Sequence, residues 1–262
     1  MKPEWQGKWA LVTGASAGIG TALAVELAAG GTNLVLTARR RDRLQQIAKE
    51  LSSKHKITAE IIEADLAKPA APEEIFQFTK EKGIAVELLI NNAGFGQYGE
   101  LSSVEPQRLL DMVQVNCSAV LHLTRLYLPD MITRRSGDVL IVASTVAFQA
   151  VPYISTYAAT KVFDLFLAEG LAEEMKPHGI RVCALCPGTT ESEFHDAAGH
   201  PAHARRRSET AEKVAKTGLR ALAAGKSYVI SGFANYMGAH SQRLVTRRTV
   251  TKIAANMMRP KK

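Results

Sequence analysis

The sequence predicts an α/β fold: one doubly wound, mostly parallel seven-stranded sheet flanked by helices, in a single domain with a basic helical tail. Three observations carry this. Short apolar runs of strand length recur along the chain, alternating with longer segments of helical periodicity. The first run, Trp9–Thr13, opens into the turn Gly14-Ala15-Ser16-Ala17-Gly18-Ile19-Gly20 and then an apolar helical pattern through Ala22, Leu23, Val25 and Leu27. Finally, 262 residues, 46% of them hydrophobic, can bury a sizeable core, and no linker, repeat or low-complexity tract divides the chain.

Each element has its own signal. Trp9–Thr13 suits a buried parallel strand, and the helix after its glycine turn is followed by a second strand at 33–37. A helix at 42–52 and a third strand at 58–64 come next; Pro72 marks the start of a helix at 73–82, before a fourth strand at 87–91. A long helical region from about 105 to 128 is expected to end before Pro129. The fifth strand is 138–143, the next helix Ser155–Met175, and the sixth strand 181–185. A helix at about 209–223, with Ser208 as its cap, precedes a seventh strand at 227–230. Such alternation with right-handed crossovers places ligands at the carboxyl ends of the strands.

The chemistry lies in Tyr157-Ala158-Ala159-Thr160-Lys161, thirteen residues after Ser144. Residues i and i+4 share a helix face, so the Lys161 ammonium is expected near the Tyr157 phenol. An unperturbed tyrosine titrates near ~10, and an adjacent cation lowers an acid by about 1–3 units, toward the range of efficient proton transfer. At the other end of the chain, the glycines of 14, 18 and 20 permit a tight turn and close approach to a pyrophosphate held at the positive end of the first helix. Gly14, Ser16, Gly18, Ile19 and Gly20 are the candidate contacts there. After the second strand comes Thr37-Ala38-Arg39-Arg40-Arg41, with no acid before Asp42. An Asp or Glu at that point would bind a ribose 2′-hydroxyl; an arginine accommodates a 2′-phosphate, which favours NADP(H) through Arg39 and Arg40.

Thr13-Gly14-x-x-x-Gly18-x-Gly20, Asn91-Asn92-Ala93-Gly94, Asn116, Ser144, Tyr157-x-x-x-Lys161 and Pro187-Gly188 resemble, in order and spacing, the pattern of the short-chain dehydrogenase/reductase family, over about residues 7–232. The resemblance implies a Rossmann fold and an NADP(H)-dependent oxidoreductase that interconverts a carbonyl and a secondary alcohol. It implies Tyr157 as general acid/base, Ser144 orienting the reacting oxygen, Lys161 acidifying the phenol and holding the nicotinamide ribose, and Asn116 completing a proton relay through water. Asp65 and Leu66 would face the adenine, Asn92, Ala93 and Gly94 would line the cofactor, and Pro187, Gly188 and Ser192 would meet the nicotinamide. Thr189 stands where relatives often carry a second proline. Phe95, Phe148, Gln149, Val151 and Tyr153 are expected to line a pocket for a hydrophobic ketone or 3-oxoacyl compound, under a lid at about 188–207. Family members usually form homodimers or homotetramers through the helices carrying Asn116 and Tyr157.

Composition bounds the alternatives. The net charge is +8, and residues 239–262 form a basic tail that holds Arg243, Arg247, Arg248, Lys252, Arg259, Lys261 and Lys262 without an acid, with apolar residues at helical intervals. Such a tail suits either a helix packed on its own domain or a weak contact with an anionic membrane surface or acidic partner. Nothing resembling a nucleic-acid recognition module accompanies it, so no nucleic-acid partner is expected. Cys117, Cys183 and Cys186 are too few for a disulfide framework, and Cys183 and Cys186 would face opposite sides of a strand. His195, His200 and His203 are read as solvated, not metal-binding. The absence of a long apolar run or signal-like start points to the cytoplasm. The competing reading is a catalytically idle dinucleotide-binding sensor or scaffold that uses the basic tail; the full set Asn116, Ser144, Tyr157 and Lys161 argues against it.

Overall fold

The computed structural model describes residues 4–194, 198–199 and 208–260. Seven parallel strands form one sheet in the order β3-β2-β1-β4-β5-β6-β7: β1 Trp9–Thr13, β2 Asn33–Ala38, β3 Ala59–Glu63, β4 Val86–Asn91, β5 Gly137–Val142, β6 Ile180–Cys186 and β7 Tyr228–Ile230. The order reverses between β1 and β4, so the connections leave those two strands in opposite directions and open a crevice beyond their carboxyl ends.

Strand alternation sorts the core into two layers. On β1, Leu11 packs to one face while Ala10 and Val12 pack to the other; on β6, Val182, Ala184 and Cys186 oppose Cys183 and Leu185. One face is covered by α1 Gly18–Ala29, α2 Arg41–His55 and α7 Ala211–Ala223, the other by α3 Ala71–Glu81, α5 Ala119–Arg134 and α6 Ser155–Met175. The two buried cysteines thus stand on opposite faces of the sheet, as the alternation requires. Between β4 and α5 lie α4 Pro106–Val113 and a turn of π-helix at Gln114–Ser118; α8 Phe233–Ser241 and α9 Arg247–Met258 follow β7.

Two expectations about helix ends fail. The helix expected to stop before Pro129 runs through it to Arg134. Tyr127, Leu128 and Met131 are all buried around that point, and their packing outweighs the one backbone hydrogen bond a proline cannot make. At α7 the cap is Thr210, whose side chain accepts from the Lys213 N–H, not Ser208. The strand and helix positions otherwise agree with expectation to within about three residues.

Adjacent strands also carry an ionic pair whose carboxylate is buried. Register sets Asp138 on β5 opposite Arg181 on β6. The guanidinium grips both carboxylate oxygens, at 2.6 and 2.8 Å, and the Trp5 indole donates to the same carboxylate at 2.7 Å.

Candidate active site

At the carboxyl end of β1, Thr13 ties the turn to β4. Its hydroxyl accepts from the N–H groups of Asn92 and Ala93, both at 2.9 Å, and the Asn92 amide donates to the Thr13 carbonyl at 2.8 Å. Gly14 turns here with φ +65°, and a Cβ on it would lie 2.9 Å from the Ala93 Cα. A Cβ on Gly20 would lie 2.3 Å from the Gly14 carbonyl oxygen, so Gly20 lets helix and turn touch but does not itself line the crevice. The α1 N-terminus has no side-chain cap at Ala17 and no acid in its first turn. Its backbone donors and positive dipole end are therefore left to a ligand, as a pyrophosphate requires.

One crevice of about 990 Å³ runs from this turn past the catalytic candidates. Gly14, Ser16, Gly18, Ile19, Arg39, Arg40, Asp65, Leu66, Asn92, Ala93, Gly94, Pro187, Gly188 and Ser192 all line it, so every expected cofactor contact except Gly20 faces one cavity. Ala38 ends β2 without an acid. Arg40 reaches the Ser16 hydroxyl with Nε at 3.2 Å and Nη2 at 3.1 Å. It also bonds Glu193 at 2.6 Å, and Arg43 bonds the other oxygen of Glu193 at 2.6 Å. Hydrogen bonds from Arg40 and then Arg43 hold the Glu193 carboxyl at about 2. Glu193 belongs to the segment after β6, so this bridge joins the β6 and β2 sides of the crevice. An uncapped helix end, a glycine cradle and arginines in place of an acid together fit a phosphorylated dinucleotide.

Deeper in the crevice stand Ser144, beyond β5, and Tyr157 and Lys161, one turn apart on α6. The Lys161 Nζ lies 5.9 Å from the centre of the Tyr157 ring, and the Ser144 hydroxyl, which donates to the Pro187 carbonyl at 3.5 Å, lines the same crevice. The expected acidification is not what the protein alone achieves. Burial raises the Tyr157 pKa above its ordinary value and outweighs the Lys161 charge and the neighbouring Ser144 hydroxyl, which both lower it. Desolvation prevails because the phenol is almost wholly covered, in part by the Phe194 ring at 5.3 Å. Asn116 sits behind this group in the π-turn and does not line the crevice. Its amide exchanges two bonds with the Phe95 backbone, at 3.1 and 3.0 Å, and donates to Thr160 at 3.0 Å.

Sequence reasoning overlooked two parts of the site. Asp164, fully buried one turn beyond Lys161, bonds its Nζ at 2.9 Å. In the sequence it reads as an ordinary i, i+3 charge pair on a helix surface. The second part is α9. Its Ala254 and Met258 pack with Met112, Val151, Ile154, Tyr157 and Ala158 in a third apolar cluster, and Met257 and Arg259 also line the crevice. The Tyr98 hydroxyl pins this helix by donating to the Met258 carbonyl at 2.6 Å. Of the expected substrate lining, Phe95, Gln149 and Val151 face the crevice, whereas Phe148 packs toward Tyr228 and His240, and Tyr153 stacks near Tyr98. Phe148 is turned away because it falls in a short 3-10 turn, Thr145–Phe148. Most of the expected lid, with His195, His200 and His203, lies outside the described residues; among the described residues no group of His, Cys, Asp and Glu could hold a metal.

Comparison with known proteins shows the family and the fold. A family profile described as short chain dehydrogenase matches residues 8–202. A very-long-chain 3-oxoacyl-CoA reductase from Phaeosphaeria nodorum is 36% identical over 181 residues, 68% of this chain and 53% of that protein. One from Bos taurus is 35% identical over 189 residues, 70% of this chain and 59% of that protein. The aligned part thus spans little more than half the length of these relatives. Among solved structures, a short-chain dehydrogenase from Sphingobium yanoikuyae in complex with NADPH superposes with a TM-score of 0.82 at 29% identity, covering 90% of this chain and 93% of that one.

Proposed function

The chain belongs to the short-chain dehydrogenase family, and from that premise we propose that it is an NADP(H)-dependent oxidoreductase interconverting a carbonyl and a secondary alcohol. The observation that carries this is the gathering of the Ser144 hydroxyl, the Tyr157 phenol and the Lys161 ammonium in the same crevice as the glycine turn and Arg40. When bound, the reduced nicotinamide supplies a hydride to the carbonyl carbon. Negative charge then develops on the substrate oxygen, which Ser144 orients and to which Tyr157 gives its proton. Lys161 keeps a positive charge beside the phenolate so formed, with the burial that raises the resting phenol also strengthening that attraction. Asn116 holds the Phe95 backbone and, through it, the wall beside Gly94.

Three further assignments rest on particular features. Arg39 and Arg40 support NADP(H) over NAD(H), as does the NADPH complex of the Sphingobium relative. The apolar cluster around Tyr157, with Val151, Ile154, Ala254 and Met258, supports a hydrophobic ketone or a 3-oxoacyl thioester, the substrate class in the names of the two curated relatives. Leu110, Val113, Leu121 and Phe166 are exposed on α4, α5 and α6, which supports a homo-oligomer formed through those helices.

The deciding experiment is NADPH oxidation with a panel of ketones and 3-oxoacyl thioesters, for the native chain and Tyr157→Phe. The expected result is ketone-dependent turnover that falls by about a hundredfold or more in the variant, the loss typical of a positioned general acid. Undiminished turnover in Tyr157→Phe would reject the mechanism.

A further inference from the structure

Asp164 is wholly enclosed, at 0% exposure, and only one of its carboxylate oxygens is used. Oδ2 accepts from Lys161 Nζ at 2.9 Å; Oδ1 is buried with no hydrogen-bond partner among the described residues. A buried carboxylate is tolerated only when paired, so Lys161 is what compensates it. The same ammonium donates to the Val142 carbonyl at 2.8 Å, which leaves one of its three donors for the crevice that it lines. The ionisable groups packed around the pair are Tyr157 on the same helix, Cys117 from the π-turn and Cys186 from β6. Both cysteine thiols are pushed up by burial and stay neutral, which leaves Asp164 as the anion in this group.

We propose that Asp164 is a positioning residue: it anchors the Lys161 ammonium beneath Tyr157 and sets how far that cation acidifies the phenol. The catalytic meaning of this rests on the function proposed above; the electrostatic claim does not. Its logic is one of opposed charges. Lys161 lowers the Tyr157 pKa, and Asp164, on the far side of the ammonium, raises it. The carboxylate also keeps the ammonium protonated despite its burial. Lys161 is thereby held charged and in place, at the cost of part of its influence on the tyrosine. The Asp164 carboxyl itself is raised to about 6, because burial outweighs the pull of Lys161. Acid therefore removes the opposing charge as the pH falls through that value.

The test is a spectroscopic titration of the cofactor-free chain. Phenolate absorbance belonging to Tyr157 is isolated by subtracting the Tyr157→Phe titration, in the native background and in Asp164→Asn. The expected result is a midpoint lower by about 1 pH unit in Asp164→Asn, the usual effect of removing one nearby like charge, with Lys161 still held as the ammonium by its bond to the Val142 carbonyl. In ketone reduction, where the phenol must be protonated, the alkaline limb of the kcat profile should move down by the same amount, with the ketone KM unchanged. Asp164→Glu, which keeps the charge, should restore the native midpoint. Coincident titrations in Asp164→Asn and the native chain would overturn the proposal. If Asp164→Asn does not fold, Asp164→Leu removes the charge together with the unpaired oxygen, and the same downward shift decides the matter. A native chain that reduces no ketone would defeat the functional reading while leaving this titration free to succeed or fail.

Discussion

Glu193 holds Arg40 and Arg43 at once, and of the two it is Arg40 that lines the crevice and that an incoming 2′-phosphate would need. Glu193→Gln should therefore tighten NADPH several-fold while changing NADH little, as read by fluorescence titration of both nucleotides. Arg40→Ala should weaken NADPH selectively, and equal losses for the two nucleotides would reject a phosphate-binding role. The pH window of this clamp follows from its sign. The Glu193 pKa in the folded chain lies at about 2, below its ordinary 4.5, so the bridges are intact above about 4.5 and are lost as the pH falls toward 2. Between pH 5 and 8 they do not titrate, and any change in nucleotide affinity there has another origin. Single residues were legible in the sequence where a motif fixes them: Tyr157, Lys161, Ser144 and the turn glycines all reach the crevice or its wall. Asp164 was not, because a charge three residues from a lysine is on most helices a solvated pair. Only the tertiary packing that buries α6 against β5 and β6 converts it into part of the site.

At the scale of elements, the Asp138–Arg181 pair joins two neighbouring strands at the end opposite the crevice. Removing the guanidinium leaves a carboxylate that is 3% exposed, with the Trp5 indole as its remaining side-chain donor among the described residues. Arg181→Met should lower stability by about 3 kcal/mol, at the low end for breaking a buried pair because Arg181 is itself partly exposed, and this is measurable by denaturant unfolding. Turnover per folded molecule should be unchanged, since the pair does not touch the crevice. Strands were the most readable elements, their bounds fixed by apolar runs. The continuation of α5 through Pro129 was not readable, because local preference argued for a stop and the burial of Tyr127, Leu128 and Met131 argued more strongly for continuing. The π-turn at Gln114–Ser118 had no sequence signature either, yet it carries Asn116.

Taken as a whole, the molecule brings the glycine turn built early in the chain and the late helix α9 to one crevice. The tail expected to be a basic amphipathic helix is one, but its inner residues Ala254 and Met258 belong to the cluster around Tyr157. Its outer face retains Arg247, Arg248 and Lys252, together with exposed Leu244 and Ile253, and none of these cations forms an ion pair among the described residues. We propose that this face makes a weak contact with anionic lipid. Cosedimentation with anionic vesicles should exceed that with neutral ones and fall when Arg247, Arg248 and Lys252 are changed to Glu; equal recovery would dismiss it. Because Tyr98 grips the Met258 carbonyl across 160 positions of sequence, the hydrogen bond closes a loop through more than half of the chain. Limited proteolysis between α8 and α9 would separate two properties that the intact chain delivers together. The nicked protein should still retain nucleotide, while its discrimination among bulky and small ketones collapses, because the wall that measures their size has been let go.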